Sequence, residues 1–208
     1  MKRSPKMHDS QANLTIKKCD FEGWREWYSP VLDVIPENPT GDGFSCETRA
    51  WKLGSLTMSQ TIGPPRARHI RTKNHIRRYP VDHWGIVYCG RDGYMATVRE
   101  TEVKVPAGVP YLWSMGQEHW IERPIHGLRT NIFLPRDVLR DSAPLIDAAC
   151  GSPLDTPLGR LLGDYMMALW GRLPDMTEAE LTGLGKSVGA MMSPLLPHQR
   201  IRRPSPDR

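Results

Sequence analysis

The sequence has no hydrophobic run long enough to cross a bilayer and no apolar leader. In the 208 residues, the longest uncharged runs are 13 residues, as in 105–117, and they contain proline and glycine. A membrane-spanning helix needs about 20 apolar residues. Residues 4–13, after a short basic start, are mostly polar, unlike a secretory signal. We therefore expect a cytoplasmic protein without a membrane partner.

The sequence also has few of the residue patterns that carry metal or catalytic chemistry. Its four cysteines are far apart, with no Cys-x-x-Cys pair, which favours isolated small side chains over a disulfide framework or a zinc site. There is no His-x-His pair, no His-Glu-x-x-His run and no Gly-x-Ser-x-Gly elbow. Residues 183–187 (GLGKS) resemble the end of a phosphate-binding loop, but Glu180 stands where its first glycine belongs. We expect no metal, no cofactor and no catalytic residues.

Basic charge is concentrated at the two ends of the chain. The net charge is +5, whereas residues 20–197 carry 19 Lys/Arg and 21 Asp/Glu. A charged end is most often a solubilising feature, so we expect no direct DNA binding by these ends. We predict a flexible arm over 1–18 and a disordered basic tail over 197–208.

The region from residue 19 to about 134 has the pattern of an antiparallel β domain. Asp20 is positioned to cap a short helix with Phe21, Trp24, Tyr28 and Val31 on its apolar side. Short runs rich in β-branched and aromatic residues then alternate with Gly/Pro turns, which is typical of a sandwich or barrel. The predicted strands are 44–53, 55–62, 68–72, 81–89, 94–101, 102–105, 111–114, 119–121 and 128–133, with a hairpin turn at 90–93.

Residues 135–196 have a helical period. Thr156 and Pro157 have the N-cap and first-turn pattern of a helix, and Thr177 with Glu180 forms a capping box. The two predicted helices, 157–171 and 177–193, are joined by a short link and should be antiparallel neighbours. We predict an α+β fold, in which a β-barrel or sandwich is followed by this helical pair, and dimerisation through the apolar stripe Leu158, Leu161, Leu162, Tyr165 and Leu169.

Tryptophan suggests a small-molecule site. Four of the seven tryptophans fall in the β region, where rigid amphipathic rings either line a ligand cavity or simply fill the barrel. The candidate ligand-binding residues are Trp51, Arg68, His83, Trp84 and Trp113. Residues 66–78 contain six Lys/Arg, two His and no acid. We expect this segment to be a solvated hairpin or to place one or two arginines in a ligand cavity. The alternative is a nucleic-acid contact through Arg66, Arg68, Arg71 and Arg77.

The order of several short motifs resembles the N-terminal sensing domain of AraC/XylS-type transcription regulators. These motifs are residues 23–27 (GWREW), 53–56 (LGSL), Arg66 and Arg68, 90–93 (GRDG), 103–108 (VKVPAG) and 133–139 (FLPRDVL). The resemblance covers about residues 20–196. It implies a cupin-like barrel that binds a small-molecule effector, followed by dimerising helices.

Members of that family continue into two helix-turn-helix units that bind DNA. Only 13 residues, 196–208, follow Leu195, too few for a recognition helix and its partner. The resemblance therefore implies the sensing and dimerising half without its DNA reader. Three interpretations stay open: a stand-alone homodimeric sensor, a heterodimer partner of full-length AraC-type regulators, and the product of a disrupted gene. A cupin-fold enzyme or a small-molecule binding protein is the alternative.

Overall fold

A computed structural model describes residues 13–36, 46–62, 67–90, 92–98, 100–123 and 128–195. The predicted tail, most of the predicted arm and Arg66 lie outside these ranges. Within them, no helix is both long and apolar enough to span a membrane.

The described chain consists of strands in its first two thirds and mainly helices after them. The strands are β1 (Leu14–Cys19), β2 (Asp33–Pro36), β3 (Cys46–Leu53), β4 (Leu56–Ile62), β5 (Ala67–Arg71), β6 (His83–Cys89), β7 (Tyr94–Val98), β8 (Thr101–Val105), β9 (Tyr111–Ser114), β10 (His119–Arg123), β11 (Leu128–Pro135) and β12 (Ser152–Pro153). The α-helices are α1 (Phe21–Tyr28), α2 (Lys73–Arg78), α3 (Ala143–Ala149), α4 (Pro157–Trp170) and α5 (Glu178–Leu195).

The strands form two antiparallel sheets that pack face to face. The seven-stranded sheet has the order β1-β3-β4-β11-β6-β9-β12, and the five-stranded sheet has the order β2-β5-β10-β7-β8. Side chains from both sheets share one apolar cluster, for example Val87 and Tyr111 with Ala96 and Ile121, so this cluster lies between the sheets. The predicted α+β class, with an antiparallel barrel or sandwich and following helices, is confirmed.

A second apolar core lies on the other face of the seven-stranded sheet. There Met58, Ile86 and Ile132 pack with Leu162 of α4 and Val188 of α5. Because neighbouring residues on a strand point to opposite faces, the seven-stranded sheet supplies side chains to both cores.

The three predicted helix caps are confirmed. Gly23 N donates to the Asp20 carboxylate at 2.9 Å, and Gly159 N donates to Thr156 Oγ1 at 3.0 Å. At α5, Thr177 N donates to Glu180 Oε2 at 2.7 Å, and Glu180 N donates to Thr177 Oγ1 at 3.4 Å. The GLGKS segment is therefore an interior part of α5, and the helix extends to Leu195, beyond the predicted 193.

Two expectations about the chain path are wrong. β6 and β7 belong to different sheets, so residues 90–93 do not join a hairpin; the chain crosses there from one sheet to the other. The end of the predicted arm, from Leu14, is part of β1, which pairs with β3 through six residue pairs. β3 and β4 do form a hairpin, and its two-residue turn uses Gly54 at φ +64°, a conformation that glycine adopts without strain.

Two short helical segments differ from what the sequence pattern predicted. α2 has no buried residue, so apolar periodicity does not reveal it. It is held instead by Thr72, whose side chain accepts from His75 N, and by Glu118, which accepts from Lys73 N. The region of helical period predicted from residue 135 begins with a 3₁₀ segment (Arg136–Ser142), which precedes α3.

Candidate ligand site between the sheets

The strand register fixes which side chains face the space between the sheets. On β11, Arg129, Asn131 and Phe133 lie opposite Thr61, Ser59 and Thr57 of β4, and opposite Cys89, Val87 and Gly85 of β6. Val87 and Phe133 belong to the inter-sheet cluster, so the side chains at all these paired positions point into the interior.

One side of the interior is polar. Thr48, Ser59, Thr61, Arg129 and Asn131 are all buried there, and we call them the polar wall. The Thr48 and Thr61 hydroxyl oxygens are 3.0 Å apart, and Asn131 Nδ2 donates to Ser59 Oγ at 3.4 Å. The Arg129 guanidinium carbon lies 5.0 Å from the centre of the Tyr28 ring, so α1 covers this wall with an aromatic side chain.

Aromatic rings form much of the remaining interior. Tyr94 and Tyr111 are in edge contact with ring centres 6.3 Å apart, and the ring centres of Trp113 and His119 are 4.3 Å apart. The Trp113 indole lies directly against Gly85, where a Cβ atom would collide with Nε1 and Cε2. Glycine is therefore required at position 85 for this ring to pack.

Two basic side chains occupy the end of the interior near Trp113. Arg71 is buried, and its guanidinium donates to four backbone carbonyls, those of Met115 (2.6 Å), Pro30 (3.2 Å), Val31 (2.6 Å) and Tyr79 (2.8 Å). His119 faces it across the β5–β10 pair. Burial, with a smaller contribution from the Arg71 charge, lowers the pKa of His119 to about 4, so this imidazole is neutral at pH 7.

Several buried polar atoms of the interior have no hydrogen-bond partner among the described residues. They are Tyr111 Oη, Trp113 Nε1, His119 Nε2, and Arg129 Nε and Nη2. Burial also raises the pKa of Tyr111, so its hydroxyl stays protonated. Because an unsatisfied buried polar group is costly, this concentration makes the interior the candidate site for a polar small molecule.

The predicted ligand-binding residues lie in different parts of the structure. Trp113 lies in the interior, and His83 begins β6 half-buried; their contact with a ligand stays a prediction. Trp51 and Trp84 lie on the opposite face of the seven-stranded sheet, in the core beneath the helices, so placing them on the barrel wall was wrong. Arg68 was also misplaced, because its side chain is 56% exposed and pairs with Glu122 at 3.2 Å on the outer face of the five-stranded sheet.

None of the residues of the polar wall was predicted from the sequence to bind a ligand. The available signal was the pair Arg129 and Asn131, two positions apart in a strand that otherwise carries Ile, Phe and Leu. An alternating polar pair in an apolar strand indicates one polar face. Only the register shows that this face is the buried interior rather than the solvent side.

The predicted dimerisation stripe divides into two parts. Leu162 and Leu169 are fully buried against the chain's own sheet, so assigning them to a dimer contact was wrong. Leu158 and Tyr165 are half-buried, while Leu161 is 55% exposed. These last three stay candidates for self-association.

Residues 67–78 form β5 and α2 instead of a solvated hairpin. Arg71, one of the candidate nucleic-acid contacts, is buried and saturated by carbonyls, while Arg77 remains exposed. As for metals, no group of three or more His, Cys, Asp or Glu side chains within the described ranges is placed to hold an ion.

Comparison with solved structures identifies the fold. The structure resembles the AraC-like transcriptional activator CuxR with a TM-score of 0.80 and 22% identity, over 93% of this chain and 72% of that one. Two cupins overlap only partly. An RmlC-like cupin from Shewanella frigidimarina matches with a TM-score of 0.34 and 13% identity, over 50% of this chain and 84% of that one. A cupin 2 barrel protein from Salinispora arenicola matches with a TM-score of 0.34 and 12% identity, over 69% of this chain and 97% of that one. No family model and no curated protein matches the sequence. The chain thus has the fold of an AraC-like activator, as the motif order predicted.

Proposed function

We propose that this chain is an effector-sensing and self-associating regulatory domain of the AraC type. A small molecule binds between the two sheets, and the helices on the outer face of the seven-stranded sheet carry the contact with a second chain. That second chain is another copy or a full-length AraC-type regulator. The proposal assigns the domain to the cytoplasm and includes no catalytic step, no direct DNA contact and no cofactor.

The observation that carries the sensing role is the set of unsatisfied polar atoms in the interior. A barrel that is merely filled would satisfy its buried donors internally, as Arg71 does with four carbonyls. At Tyr111, Trp113 and Arg129, the described residues leave donors unpaired beside aromatic surface. Apolar walls with a few convergent polar groups are the usual composition of a small-molecule site.

The test is a thermal-unfolding screen with a chemically diverse set of small molecules, followed by two matched variants. W113F removes the interior Nε1 donor and keeps an aromatic ring, whereas W51F makes the same change on the outer face. Because a ligand between the sheets meets only Trp113, we expect its dissociation constant to rise at least threefold in W113F and to stay unchanged in W51F.

Dissociation constants are compared, rather than melting temperatures alone, because W113F also leaves a small void beside Gly85. The proposal fails if no compound stabilises the wild-type chain, or if W51F weakens binding as much as W113F does.

A further inference from the structure

We propose that the molecule bound between the sheets is a small organic carboxylate, held by the edge of the Arg129 guanidinium that carries Nε and Nη2. This inference rests on the proposed sensing function and names the chemical class of its ligand.

The Arg129 side chain is buried, and one edge of its guanidinium has no hydrogen-bond partner among the described residues. It is 4% exposed, yet neither Nε nor Nη2 has a hydrogen-bond partner in the described parts of the chain. Arg71, equally buried, donates to four carbonyls, and Arg136, half-buried, holds both oxygens of Asp147. The chain therefore satisfies these two arginines internally, and the exception at Arg129 indicates a partner from outside the chain.

The described residues also provide no buried counter-charge. The buried polar side chains of the described residues include two arginines and no aspartate or glutamate. A buried cation is costly unless an anion accompanies it. The interior thus has the electrostatic character of an anion site.

The unpaired edge of Arg129 has the geometry that binds a carboxylate. In a guanidinium, the Nε and Nη2 hydrogens point in parallel from one edge, and this fork matches the two oxygens of a carboxylate. It is this edge of Arg129 that is unpaired, while the Tyr28 ring lies 5.0 Å from the guanidinium carbon. The aromatic contact therefore leaves the carboxylate-binding edge available.

The neighbouring side chains extend the same donor surface. Thr61 lies directly opposite Arg129 on β4, and Thr48 lies opposite Thr61 on β3, so the three side chains form one row across three strands. The two hydroxyls are 3.0 Å apart; one donates to the other, and the second retains a hydrogen to donate. That hydrogen can reach a carboxylate oxygen beside the arginine, or a further polar group of the ligand.

The balance of the site favours a carboxylate over a phosphate. A phosphate monoester carries nearly two negative charges and three acceptor oxygens at pH 7. The polar wall offers one cation and a short row of hydroxyls, and the rest of the interior is aromatic and aliphatic. A singly charged carboxylate on an apolar or aromatic body matches both parts.

The test compares a carboxylate with its neutral amide and with phosphate. Sodium benzoate, benzamide and inorganic phosphate are added to the full chain at equal ionic strength, and thermal unfolding is recorded. At a benzoate concentration of about ten times its Kd, we expect the melting temperature to rise by about 3 °C. Benzamide, which has no second acceptor oxygen and no charge, should give less than a third of that rise.

Two arginine variants provide the matched control. R129M should abolish the benzoate shift without destabilising the free protein, since it replaces an unpaired buried cation by an apolar side chain of similar length. R68M removes an exposed arginine on the outer face and should leave the shift unchanged. R129K, which keeps the charge but has no fork, should retain less than half of the shift and replaces R129M if that variant does not fold.

The inference is overturned if benzamide raises the melting temperature as much as benzoate does, or if R129M keeps the benzoate shift. It is also overturned if phosphate gives the larger Arg129-dependent shift. The last contrary result is that no probe has an effect up to 100 mM, roughly the weakest binding a bidentate pair should give. Its failure is distinguishable from failure of the proposed function. Neutral compounds that bind in a Trp113-dependent way would leave sensing intact and exclude the carboxylate. Benzoate binding that never alters self-association would confirm the carboxylate site and contradict the regulatory role.

Discussion

At the scale of single residues, His119 is the side chain whose protonation should matter most for stability. Its Nδ1 lies 3.2 Å from the Gln117 carbonyl, which only accepts, so the neutral ring donates through Nδ1 and carries its lone pair on Nε2. Burial lowers its pKa to about 4, whereas an unfolded histidine titrates near 6.5. The unfolded chain therefore binds a proton before the folded one does, and the stability contributed by the neutral ring is lost as the pH falls from 6.5 towards 4.

We predict that this group alone lowers the free energy of unfolding by about 2.5 kcal/mol between pH 7 and pH 4.5. Urea unfolding of the wild type and of H119Q at both pH values measures it. Asp33 and Asp147, whose pKa values are lowered by their arginine partners despite burial, add acid sensitivity to both proteins. The difference between the two proteins is thus the quantity to compare, and an equal loss in H119Q would contradict the prediction.

Residue identity predicted an aromatic interior, but not which aromatic residues belong to it. Trp51, Trp84 and Trp113 all sit in strands, and a strand pattern shows alternation without showing which face is inside. The register resolves it: Trp113 shares the inner face with Gly85, whereas Trp84, one position earlier on β6, is turned outward. The interior arginine was likewise found only from register, because Arg68 and Arg129 both occupy strands in similar sequence surroundings.

At the scale of elements, helix-cap signals predicted the structure better than turn signals did. The caps at Asp20, Thr156 and Thr177 are local, so they depend on a few neighbouring residues. The path from β6 to β7 depends instead on the strands that each one pairs with. β6 lies between β11 and β9 in one sheet, whereas β7 lies between β10 and β8 in the other. A Gly-rich connection has the same local chemistry in a hairpin and in a crossing between sheets, so the sequence did not distinguish them.

Helix α4 has an inner side and an outer side with different roles. Leu162, Met166 and Leu169 are buried against the seven-stranded sheet. Leu161, next to Leu162, points about 100° away around the helix and is 55% exposed. An apolar side chain of this size on the solvent face of a helix fits the proposed contact with a second chain.

We predict that L161K weakens self-association at least tenfold, because a lysine ammonium would have to be desolvated in the contact. Sedimentation equilibrium of the purified chain measures the dimer dissociation constant. M95K is the matched control, since Met95 is also apolar and 37% exposed but lies on the outer face of the five-stranded sheet. The prediction fails if the wild type is monomeric at all concentrations, or if both variants dimerise equally well.

At the scale of the whole molecule, the seven-stranded sheet is the element through which the interior and the helices meet. Trp113 points into the interior, and the next residue, Ser114, accepts from Arg136 Nη2 at 3.3 Å on the outer face. Arg136 binds both oxygens of Asp147 in α3 at 2.7 Å, and Trp84 Nε1 donates to the same carboxylate at 2.8 Å. We call Arg136, Asp147, Trp84 and Ser114 the Arg136 clamp. It ties strands that line the interior to the first helix beyond them.

A ligand that moves Trp113 would shift Ser114 and, through Gly85, Trp84, so the clamp is a hydrogen-bonded connection from the strands of the interior to α3. An effector alters association only if it binds the two helix arrangements with different affinity. We predict that the clamp converts a displacement inside into such a difference, because its bidentate geometry tolerates little relative motion of sheet and helix.

We therefore predict that D147N reduces the ligand-induced change in the dimer dissociation constant at least threefold, because among the described residues Arg136 then keeps an ionised partner only in Asp82, before β6, and none in α3. The free energy of unfolding should fall by only about 1 kcal/mol, as the pair is partly exposed. D155N is the control, since the Asp155–Arg160 pair at 2.7 Å joins a residue just before α4 to the first turn of the same helix and involves no sheet residue. Sedimentation with and without the ligand found in the screen gives, for each variant, the ratio of the two dimer dissociation constants. An unchanged ratio in D147N would mean that coupling runs through the packed outer core rather than through the clamp, and an equal loss in D155N would mean that any surface charge change suffices.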